Sequence, residues 1–298
     1  MNYQLFFDSD CDITPSVARH YKAELIKMPF VIEEEIIPFK DSDDFDYKKF
    51  YDTLRSGVLP TTCALSKGQY LELFEPVLAK GLDILYIHFS REMTVTFTVC
   101  DEAIKELLAK YPGRRIELID TKGITLGSYS LCKQMGELYL AGKSIDEIKE
   151  YASKEVDRTA FYFFADNIIF FKKSGRVTGF KAFMGGMMGV KPIIYIGENG
   201  KMTSIGSAMS RKKALDKIMS YVEELQDDIK NYPCVIAHTD AIELANEFKA
   251  RLIERFGEDL NVEIIYVNPT TGGHCGPDAV GVTFHAKKRT ADSIKLEN

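Results

Sequence analysis

The sequence lacks long apolar runs, concentrated positive charge and paired cysteines, and each absence excludes a class of protein. No run of about eighteen apolar residues occurs, so we expect no membrane-spanning segment. Lys and Arg number 38 against 44 Asp and Glu, a net charge of −6, and no segment concentrates enough of them to follow a phosphate backbone. We therefore expect no nucleic acid partner. The six cysteines form no CxxC pair, which predicts reduced thiols rather than a disulfide framework or a zinc site.

The motifs of common catalytic and cofactor sites are absent as well. The sequence contains no GxxxxGK(S/T), no GxGxxG and no HExxH. Residues 123–127 (GITLG) resemble a nucleophile elbow, but Thr125 stands where such an elbow has serine, so an ordinary strand–helix turn is the favoured interpretation. We predict no catalytic residue, no metal and no cofactor.

What the sequence does contain is enough apolar material for a large core. Of its 298 residues 45% are hydrophobic, with 19 Phe and 15 Tyr, which excludes a disordered chain and allows one large or two medium domains. The opening segment MNYQLFFDSDCD reaches two aspartates before an apolar stretch of signal-peptide length can form. We therefore expect a cytoplasmic protein.

In the first half, predicted strands alternate with predicted helices. This alternation is typical of a parallel sheet flanked by helices. Capping boxes begin at Ser66 and at Ser144. The predicted strands are 3–7, 83–89 and 116–119, and the predicted helices are 45–54, 70–79, 98–110 and 126–141.

After position 158 the pattern changes. Segments 191–196 and 202–205 flank a GENG turn and predict a hairpin, which requires antiparallel pairing. Further strands are predicted at 159–164, 234–238, 262–267 and 279–285, with helices at 212–225 and 241–256. We predict an α/β fold of two α/β domains. Residues 1–158 form a mostly parallel sheet flanked by helices, and residues 159–298 form a mixed sheet with helices.

Short polar side chains follow the predicted strands of the first half. They lie at Asp8-Ser9, in residues 90–98 and at Asp120-Thr121, and a further pair, Thr61-Thr62, is expected in a loop before the Ser66 cap. The carboxyl edge of an open α/β sheet is where ligands bind, and hydroxyls with free amides suit a carboxylate or phosphate. Each of these positions taken singly is also a good helix N-cap. Together they predict an anion-binding edge.

The second half adds cations, a histidine and a flexible apolar segment. Residues 172–176 (KKSGR) are expected to turn from a strand into a helix over 174–188, and Arg211 opens a later helix. Residues 271–277 (TGGHCGP) predict a glycine-rich loop centred on His274, whose neighbour Cys275 is expected to point away from it. The 174–188 segment predicts either a core stripe or an adaptable cover over an apolar ligand, formed by Phe180, Phe183, Met184, Met187 and Met188.

Seven motifs in a fixed order resemble those of the DegV family of bacterial fatty-acid-binding proteins, over nearly the whole chain. Each motif alone is weak evidence, and the resemblance rests on all seven occurring in the same order. They are residues 8–12 (DSDCD), 60–62 (PTT), 120–122 (DTK) with Gly127, 171–177 (FKKSGRV), 189–193 (GVKPI), 211–214 (RKKA) and 273–281 (GHCGPDAVG).

The resemblance implies a long-chain fatty acid bound between two α/β domains, with its acyl chain buried in the N-terminal one. It also implies a separate fatty acid kinase that phosphorylates the presented carboxylate. Carried over by position, Thr61, Thr62 and Thr94 would hold the carboxylate beside His274. Arg176 and Arg211 would flank the opening that faces the kinase. The acyl-chain lining would include Phe180, Met184, Met187 and Met188.

Two segments depart from the family pattern near the proposed head group. Residues 90–97 (SREMTVTF) replace Ser-Ser-x-Leu-Ser-Gly-Thr-Tyr, so that Val95 stands at the glycine position. Residues 62–65 (TCAL) replace Ser-Gln-Pro-Ser.

Two other functions stay open: a hydrolase or acyltransferase with Thr125, Cys275 or Ser9 as nucleophile, and a lipid sensor without a kinase partner.

Overall fold

The structure is a computed structural model that describes residues 1–37, 39, 43–179 and 189–294. Within these residues the strands are β1 Tyr3–Asp8, β2 Glu24–Ile26, β3 Phe30–Ile32, β4 Glu35–Ile37, β5 Thr61–Thr62, β6 Asp83–His88, β7 Ile116–Asp120, β8 Thr159–Phe164, β9 Val177–Thr178, β10 Lys191–Ile196, β11 Met202–Ala208, β12 Cys234–His238, β13 Val262–Tyr266 and β14 Val280–His285. The helices are α1 Pro15–His20, α2 Tyr47–Arg55, α3 Lys67–Ala79, α4 Thr96–Lys110, α5 Leu126–Leu140, α6 Ile145–Glu155, α7 Ile169–Ser174, α8 Arg211–Leu225, α9 Ile242–Phe256 and α10 Pro269–Cys275. Three short 3-10 turns span Ser9–Cys11, Arg91–Met93 and Val156–Arg158.

The first sheet is parallel throughout, in the order β2-β1-β6-β7. Leu5 of β1 faces Leu85 of β6, and both are fully buried. Helices α3 and α4 pack against each other, and α3 also contacts β6. The carboxyl ends of β1, β6 and β7 therefore lie side by side at one edge, as the alternating pattern predicts.

The second sheet is mixed, in the order β13-β12-β14-β8-β10-β11-β9. Its pairs β12–β13 and β9–β11 are parallel, and the other neighbours are antiparallel. All six residues of β8 are buried, because the strand lies between β14 and β10. The predicted hairpin is present, with Ile196 opposite Met202. The predicted α/β fold, with a parallel sheet followed by a mixed one, is confirmed.

Helix α5 lies between the two sheets and joins their cores. It contacts β8, β12 and β14 on one side and the turn after β1 on the other. A Cβ on Gly136 would lie 2.6 Å from the ring of Tyr21, so only glycine allows that approach. One hydrophobic cluster consequently includes residues from both halves, such as Leu5 and Phe163. The division at residue 158 stays a prediction.

Several predicted local features are present. Both capping boxes form, at Ser66 with Gln69 and at Ser144 with Glu147. The predicted limits of the strands at 159–164, 191–196 and 234–238 are those observed. These segments combine strong caps or uniformly buried apolar runs, so local sequence and tertiary packing favour the same structure.

A third, small sheet was not predicted. Strands β4, β3 and β5 pair antiparallel, and Thr62 faces Phe30. The expectation that Thr61 and Thr62 lie in a loop is therefore wrong. Strands of two or three residues show no alternation long enough to detect, and only their pairing defines them.

The segment around residue 175 also differs from its prediction. Lys172 and Lys173 lie in α7, which ends at Gly175 in a left-handed conformation with φ of 66°. The predicted helix over 174–188 is wrong at Val177 and Thr178, which form β9 beside β11. Phe180, Met184, Met187 and Met188 lie outside the described residues. Their predicted role as acyl-chain lining stays a prediction.

The glycine-rich segment predicted as a loop is helix α10. It begins after Asn268, whose side chain accepts a hydrogen bond from the backbone nitrogen of Thr271, and it has Pro269 in its first turn. Gly272 lies against Tyr51, and a Cβ on Gly273 would come within 2.7 Å of Pro60. The glycines thus provide room for neighbouring chain segments, not freedom for a loop.

Candidate functional site

A cavity of about 600 Å³ lies at the carboxyl edge of the first sheet. Its first-half walls come from the segments after β1, β2, β6 and β7 and from the end of β5. Its second-half walls come from α7, β9, β11 and α10. The volume lies within the range of small-molecule sites. Among the described residues, its apolar lining includes Met28, Ala64, Phe89, Met93, Val95, Ile124, Phe171 and Met202, and its polar lining includes Asp10, Thr62, Thr94, Thr96, Thr178, Thr270, Thr271 and His274.

Two polar side chains from distant parts of the sequence meet in this cavity. The hydroxyl oxygen of Thr62 lies 3.2 Å from Nε2 of His274. The contact forms because α10 packs against β5. Burial, and to a smaller extent the positive charge of Arg176, lowers the pKa of His274 to about 4. The imidazole is therefore neutral at physiological pH, and its tautomer can donate to or accept from a ligand.

The opening of the cavity carries charged groups. Nε of Arg176 donates to the carbonyl oxygen of Met93 at 3.4 Å, and its Nη1 donates to that of Ser174 at 2.6 Å. Lys201 of the hairpin and Glu92 of the first half form an ion pair of 3.2 Å across the cavity rim. These contacts connect the segment after β6 to the second half.

Thr94 ends the 3-10 turn Arg91–Met93 in an extended conformation and lines the cavity. Its hydroxyl accepts a hydrogen bond from the backbone nitrogen of Thr96 at 3.2 Å. Val95 has φ of −89° and ψ of −5°, a conformation that needs no glycine, and its side chain is 74% exposed. The departure from the family pattern at Val95 is therefore accommodated without backbone strain.

Three carboxyl groups lie at the end of β1 and in the turn after it, and they differ in their partners. Asp8 accepts hydrogen bonds from the backbone nitrogens of Cys11 and Phe89 and from the hydroxyl of Tyr86. Asp12 accepts two from Asn268. Asp10 lines the cavity, and its Oδ1 has no hydrogen-bond partner among the described residues. Burial raises the pKa of Asp8 and of Asp12 to about 7 and that of Asp10 well above its usual value.

The predicted head-group residues divide into two sets. Thr62, Thr94, Arg176 and His274 line the same cavity, whereas Thr61 and Arg211 are not among its described lining residues. Thr61 is exposed and pairs with Val31 in the third sheet.

Arg211 forms ion pairs with two aspartates on the surface. Its Nε lies 2.8 Å from Asp166, and its Nη2 lies 3.2 Å from Asp278. Asp278 also pairs with Arg55, at 2.9 Å, so the cluster connects α2 with α8. The roles predicted for Arg211 and for the cavity residues stay predictions.

Sequence reasoning missed part of the cavity wall. The sequence pattern predicts Asp8-Ser9 at this edge but not Asp10. Asp10 is the third residue after the predicted strand 3–7, and that position could have indicated a place in the cavity wall. Met28, between β2 and β3, and Met202, the first residue of β11, gave no signal, because a single methionine looks like an ordinary core residue. Thr270 was missed because its helix was predicted as a loop from the next residue onward.

The three candidate nucleophiles are all buried. Burial raises the pKa of the Cys275 thiol to about 12, which keeps it protonated and poorly nucleophilic at neutral pH. The hydroxyl of Ser9 accepts a hydrogen bond from the backbone nitrogen of Met28 at 2.9 Å. Thr125 is 3% exposed and precedes α5 with φ of 50°. None of these contacts supplies a base to the nucleophile.

The described residues contain no group of three or more His, Cys, Asp and Glu side chains arranged to hold a metal ion. None of the helices described is both long and apolar enough to cross a bilayer.

Comparison with known proteins identifies the family. The family model described as "Uncharacterised protein, DegV family" matches residues 2–287. The chain belongs to the DegV family. A DegV domain-containing protein of Clostridium perfringens is 28% identical over 283 residues, which cover 95% of this chain and 97% of the relative. A DegV domain-containing protein of Caldanaerobacter subterraneus is also 28% identical, over 285 residues that cover 94% and 97% of the two chains.

Solved DegV structures share the fold. A DegV family protein from Thermus thermophilus, described as binding fatty acid, superposes with a TM-score of 0.82 at 18% identity and covers 96% of this chain and 100% of its own. DegV of Bacillus subtilis, described as a fatty acid binding protein, gives 0.81 at 23% identity, covering 96% and 100%. A stearic-acid-binding protein from Eubacterium ventriosum gives 0.83 at 18% identity, covering 96% and 98%.

Proposed function

We propose that this DegV protein binds a long-chain fatty acid in the cavity at the carboxyl edge of the first sheet. The carboxylate would lie beside Thr62, Thr94 and His274, and the alkyl chain would lie along the apolar wall. The observation that carries this proposal is the contact between Thr62 and His274 inside a cavity that also has a set of apolar lining side chains. The solved relatives described as fatty acid binding support it.

The energetics of this arrangement are favourable. Burying a methylene contributes about 0.8 kcal/mol, so a chain of about sixteen carbons gives on the order of 12 kcal/mol before ordering costs. A carboxylate cannot enter an apolar cavity without hydrogen-bond donors. The hydroxyls of Thr62 and Thr94 and the ring nitrogen of His274 are such donors, and all three residues line the cavity.

The finer part of the proposal is presentation of the bound acid to a separate kinase. A carboxylate oxygen would attack the γ-phosphate of ATP, the new O–P bond would form as the bond to the β-phosphate breaks, and ADP would leave with an acyl phosphate left behind. This requirement for ATP favours a cytoplasmic location. Arg176 at the cavity and Arg211 on the surface supply positive charge for a partner that carries nucleotide. The family resemblance supports this step.

Fatty acid binding can be tested by native mass spectrometry on protein purified from a bacterial host. We expect a mass increase equal to one long-chain fatty acid, which organic extraction removes and added palmitate restores. Purified and palmitate-loaded protein that consistently shows only the mass of the chain would contradict the proposal.

A matched pair of variants locates the head group. Thr62→Val removes the hydroxyl beside His274 and keeps the side-chain shape, and loss of a hydrogen bond to a carboxylate should weaken palmitate binding by about tenfold or more. Thr61→Val makes the same change at an exposed neighbour that is not among the described lining residues, and it should leave affinity unchanged. Equal effects of the two changes would argue against this placement.

A further inference from the structure

The cavity wall contains a carboxyl group that the proposed head-group contacts do not use. Asp10 lies in the 3-10 turn after β1 and is only 6% exposed. Its backbone carbonyl accepts a hydrogen bond from the backbone nitrogen of Thr125 at 2.7 Å, which fixes the turn beside α5. Its Oδ1 is buried without a hydrogen-bond partner among the described residues. A buried polar atom of this kind usually has a partner, so its absence here points to a ligand.

The neighbouring contacts place Asp10 on the same wall as the head-group residues. The hydroxyl of Ser9, the preceding residue, accepts a hydrogen bond from the backbone nitrogen of Met28. The hydroxyl of Thr270 donates to the carbonyl oxygen of Met28 at 2.9 Å. Thr270 and His274 are four residues apart on α10 and therefore share a helix face. Asp10, Met28, Thr270 and His274 all line the cavity.

The charged groups around Asp10 favour its neutral form. Burial raises the pKa of Asp10 well above its usual value, and the charges of Asp8 and Asp12 on the same turn raise it further. Burial and Arg176 hold the pKa of His274, which lines the same cavity, at about 4, so the ring offers no positive charge.

The charged groups at the cavity rim are engaged elsewhere. Lys201 pairs with Glu92, and Arg176 donates to the backbone carbonyls of Met93 and Ser174. None of these contacts gives a cation to Asp10. A carboxyl group in such surroundings keeps its proton and becomes a hydrogen-bond donor.

We propose that Asp10 determines head-group specificity: as a neutral acid it donates a hydrogen bond to the ligand's carboxylate, and as an anion it repels that carboxylate. This inference rests on the proposed fatty acid binding and adds a consequence to it. Affinity for a fatty acid should fall as the pH rises and Asp10 loses its proton. A ligand with an uncharged head group should show no such fall.

The test measures the affinity of the delipidated protein for cis-parinaric acid, a fluorescent fatty acid, from about pH 6 up to the highest pH at which the protein stays folded. We expect the wild-type affinity to fall by about tenfold or more over this range, because losing one charge-assisted hydrogen bond to the ligand weakens binding by about that factor. Asp10→Asn keeps a donor that cannot ionise, so its affinity should stay near the wild-type value at pH 6 and remain constant. Asp10→Ala should bind about tenfold more weakly at pH 6, also without a slope.

Two controls separate Asp10 from other titrating groups. Asp12→Asn changes a buried carboxyl on the same turn that is not among the described lining residues, and it should keep the fall in affinity with a midpoint at lower pH. The methyl ester of cis-parinaric acid, measured on the wild-type protein, should bind without a pH-dependent fall. This second control needs no substitution and stands even where a variant folds poorly.

The outcomes distinguish this inference from the proposed function. A fall in affinity that persists in Asp10→Asn, or one that the methyl ester also shows, overturns the role of Asp10 while fatty acid binding stands. A wild-type affinity that does not change with pH also overturns the role of Asp10 and leaves fatty acid binding standing. Failure of the wild-type protein to bind cis-parinaric acid at any pH overturns the proposed function itself.

Discussion

Asn268 holds one carboxylate oxygen of Asp12 with two hydrogen bonds, from its backbone nitrogen at 2.8 Å and its side-chain nitrogen at 2.7 Å. Asp12 ends the turn after β1, and Asn268 is the N-cap of α10. The contact therefore fixes α10, and His274 on it, to the carboxyl edge of the first sheet. The other oxygen of Asp12 has no hydrogen-bond partner among the described residues.

The first prediction concerns stability and pH. Burial raises the pKa of Asp12 to about 7, so between about pH 4 and about pH 7 the folded protein keeps a proton that the unfolded chain has lost. The free energy of unfolding should fall across this window as the pH rises, by up to about 1.4 kcal/mol per pH unit for this group. Asp12→Asn should reduce the fall, as measured by urea denaturation at several pH values.

An exposed aspartate serves as the control. The Arg115 guanidinium lowers the pKa of Asp146, so this carboxylate contributes stability that is lost as the pH falls, the opposite sign. Asp146→Asn should therefore not reduce the fall in stability between about pH 4 and about pH 7. A slope that is the same in Asp12→Asn and in the wild-type protein would show that Asp12 does not titrate in this window.

The second prediction concerns the protonation of His274. Without ligand the pKa of His274 is held at about 4, so between about pH 6.5 and about pH 4 the unfolded chain binds a proton that the folded protein does not. The stability contributed by His274 is therefore lost as the pH falls through this window. A bound carboxylate next to the ring favours the imidazolium and should raise this pKa. Proton NMR of the imidazole with and without palmitate measures the change.

His238 provides an internal reference for this measurement. Burial also lowers its pKa to about 4, but it lies at the end of β12, where its Nδ1 accepts a hydrogen bond from the backbone nitrogen of Ala241. It is not among the described lining residues, so palmitate should leave its titration unchanged. Equal movement of both histidines, or none at His274 in the loaded protein, would place the carboxylate elsewhere.

The sheets and most helices could be predicted because local and tertiary requirements coincide there. In 159–164 and 234–238 every residue is buried, and a run of apolar residues makes up most of each strand. Helices α3 and α6 begin at complete capping boxes. In such segments the local sequence alone indicates the secondary structure that forms.

The cavity wall could be predicted only in part, because long-range packing defines the rest. The short pairing of β3 with β5 places Thr62 in the site. His274 lies there because α10 is a helix, although its glycine-rich sequence resembles that of a loop. The lack of a hydrogen-bond partner for Asp10 is visible only when its neighbours are in place. No local pattern carries this information.

The third prediction tests why α10 needs glycine. A Cβ on Gly273 would lie 2.7 Å from Cγ of Pro60, whose ring cannot rotate away. Gly273→Ala should push α10 from β5, separate His274 from Thr62, destabilise the protein by about 1–3 kcal/mol and weaken palmitate binding. Thermal melting and a binding titration measure the two effects.

A helical glycine with open space around it is the matched control. A Cβ on Gly68 in α3 would lie 3.8 Å from the hydroxyl of Ser66, an ordinary contact. Gly68→Ala should stabilise the protein by about 0.5–1 kcal/mol and leave binding unchanged, since alanine favours helix. If both substitutions stabilise the protein equally, α10 does not depend on the close contact with Pro60.

The fourth prediction separates lipid binding from kinase docking. Arg211 lies outside the described cavity lining and pairs with Asp166 and Asp278 on the surface, so Arg211→Gln should leave palmitate affinity unchanged. It should slow acyl phosphate formation when palmitate-loaded protein is mixed with ATP and a bacterial fatty acid kinase, because charge at an interface rim governs association. Lys212→Gln, at an exposed neighbouring position, should slow it less. A variant Arg211→Gln that loses palmitate affinity, or that supports phosphorylation at the wild-type rate, would remove Arg211 from the docking surface.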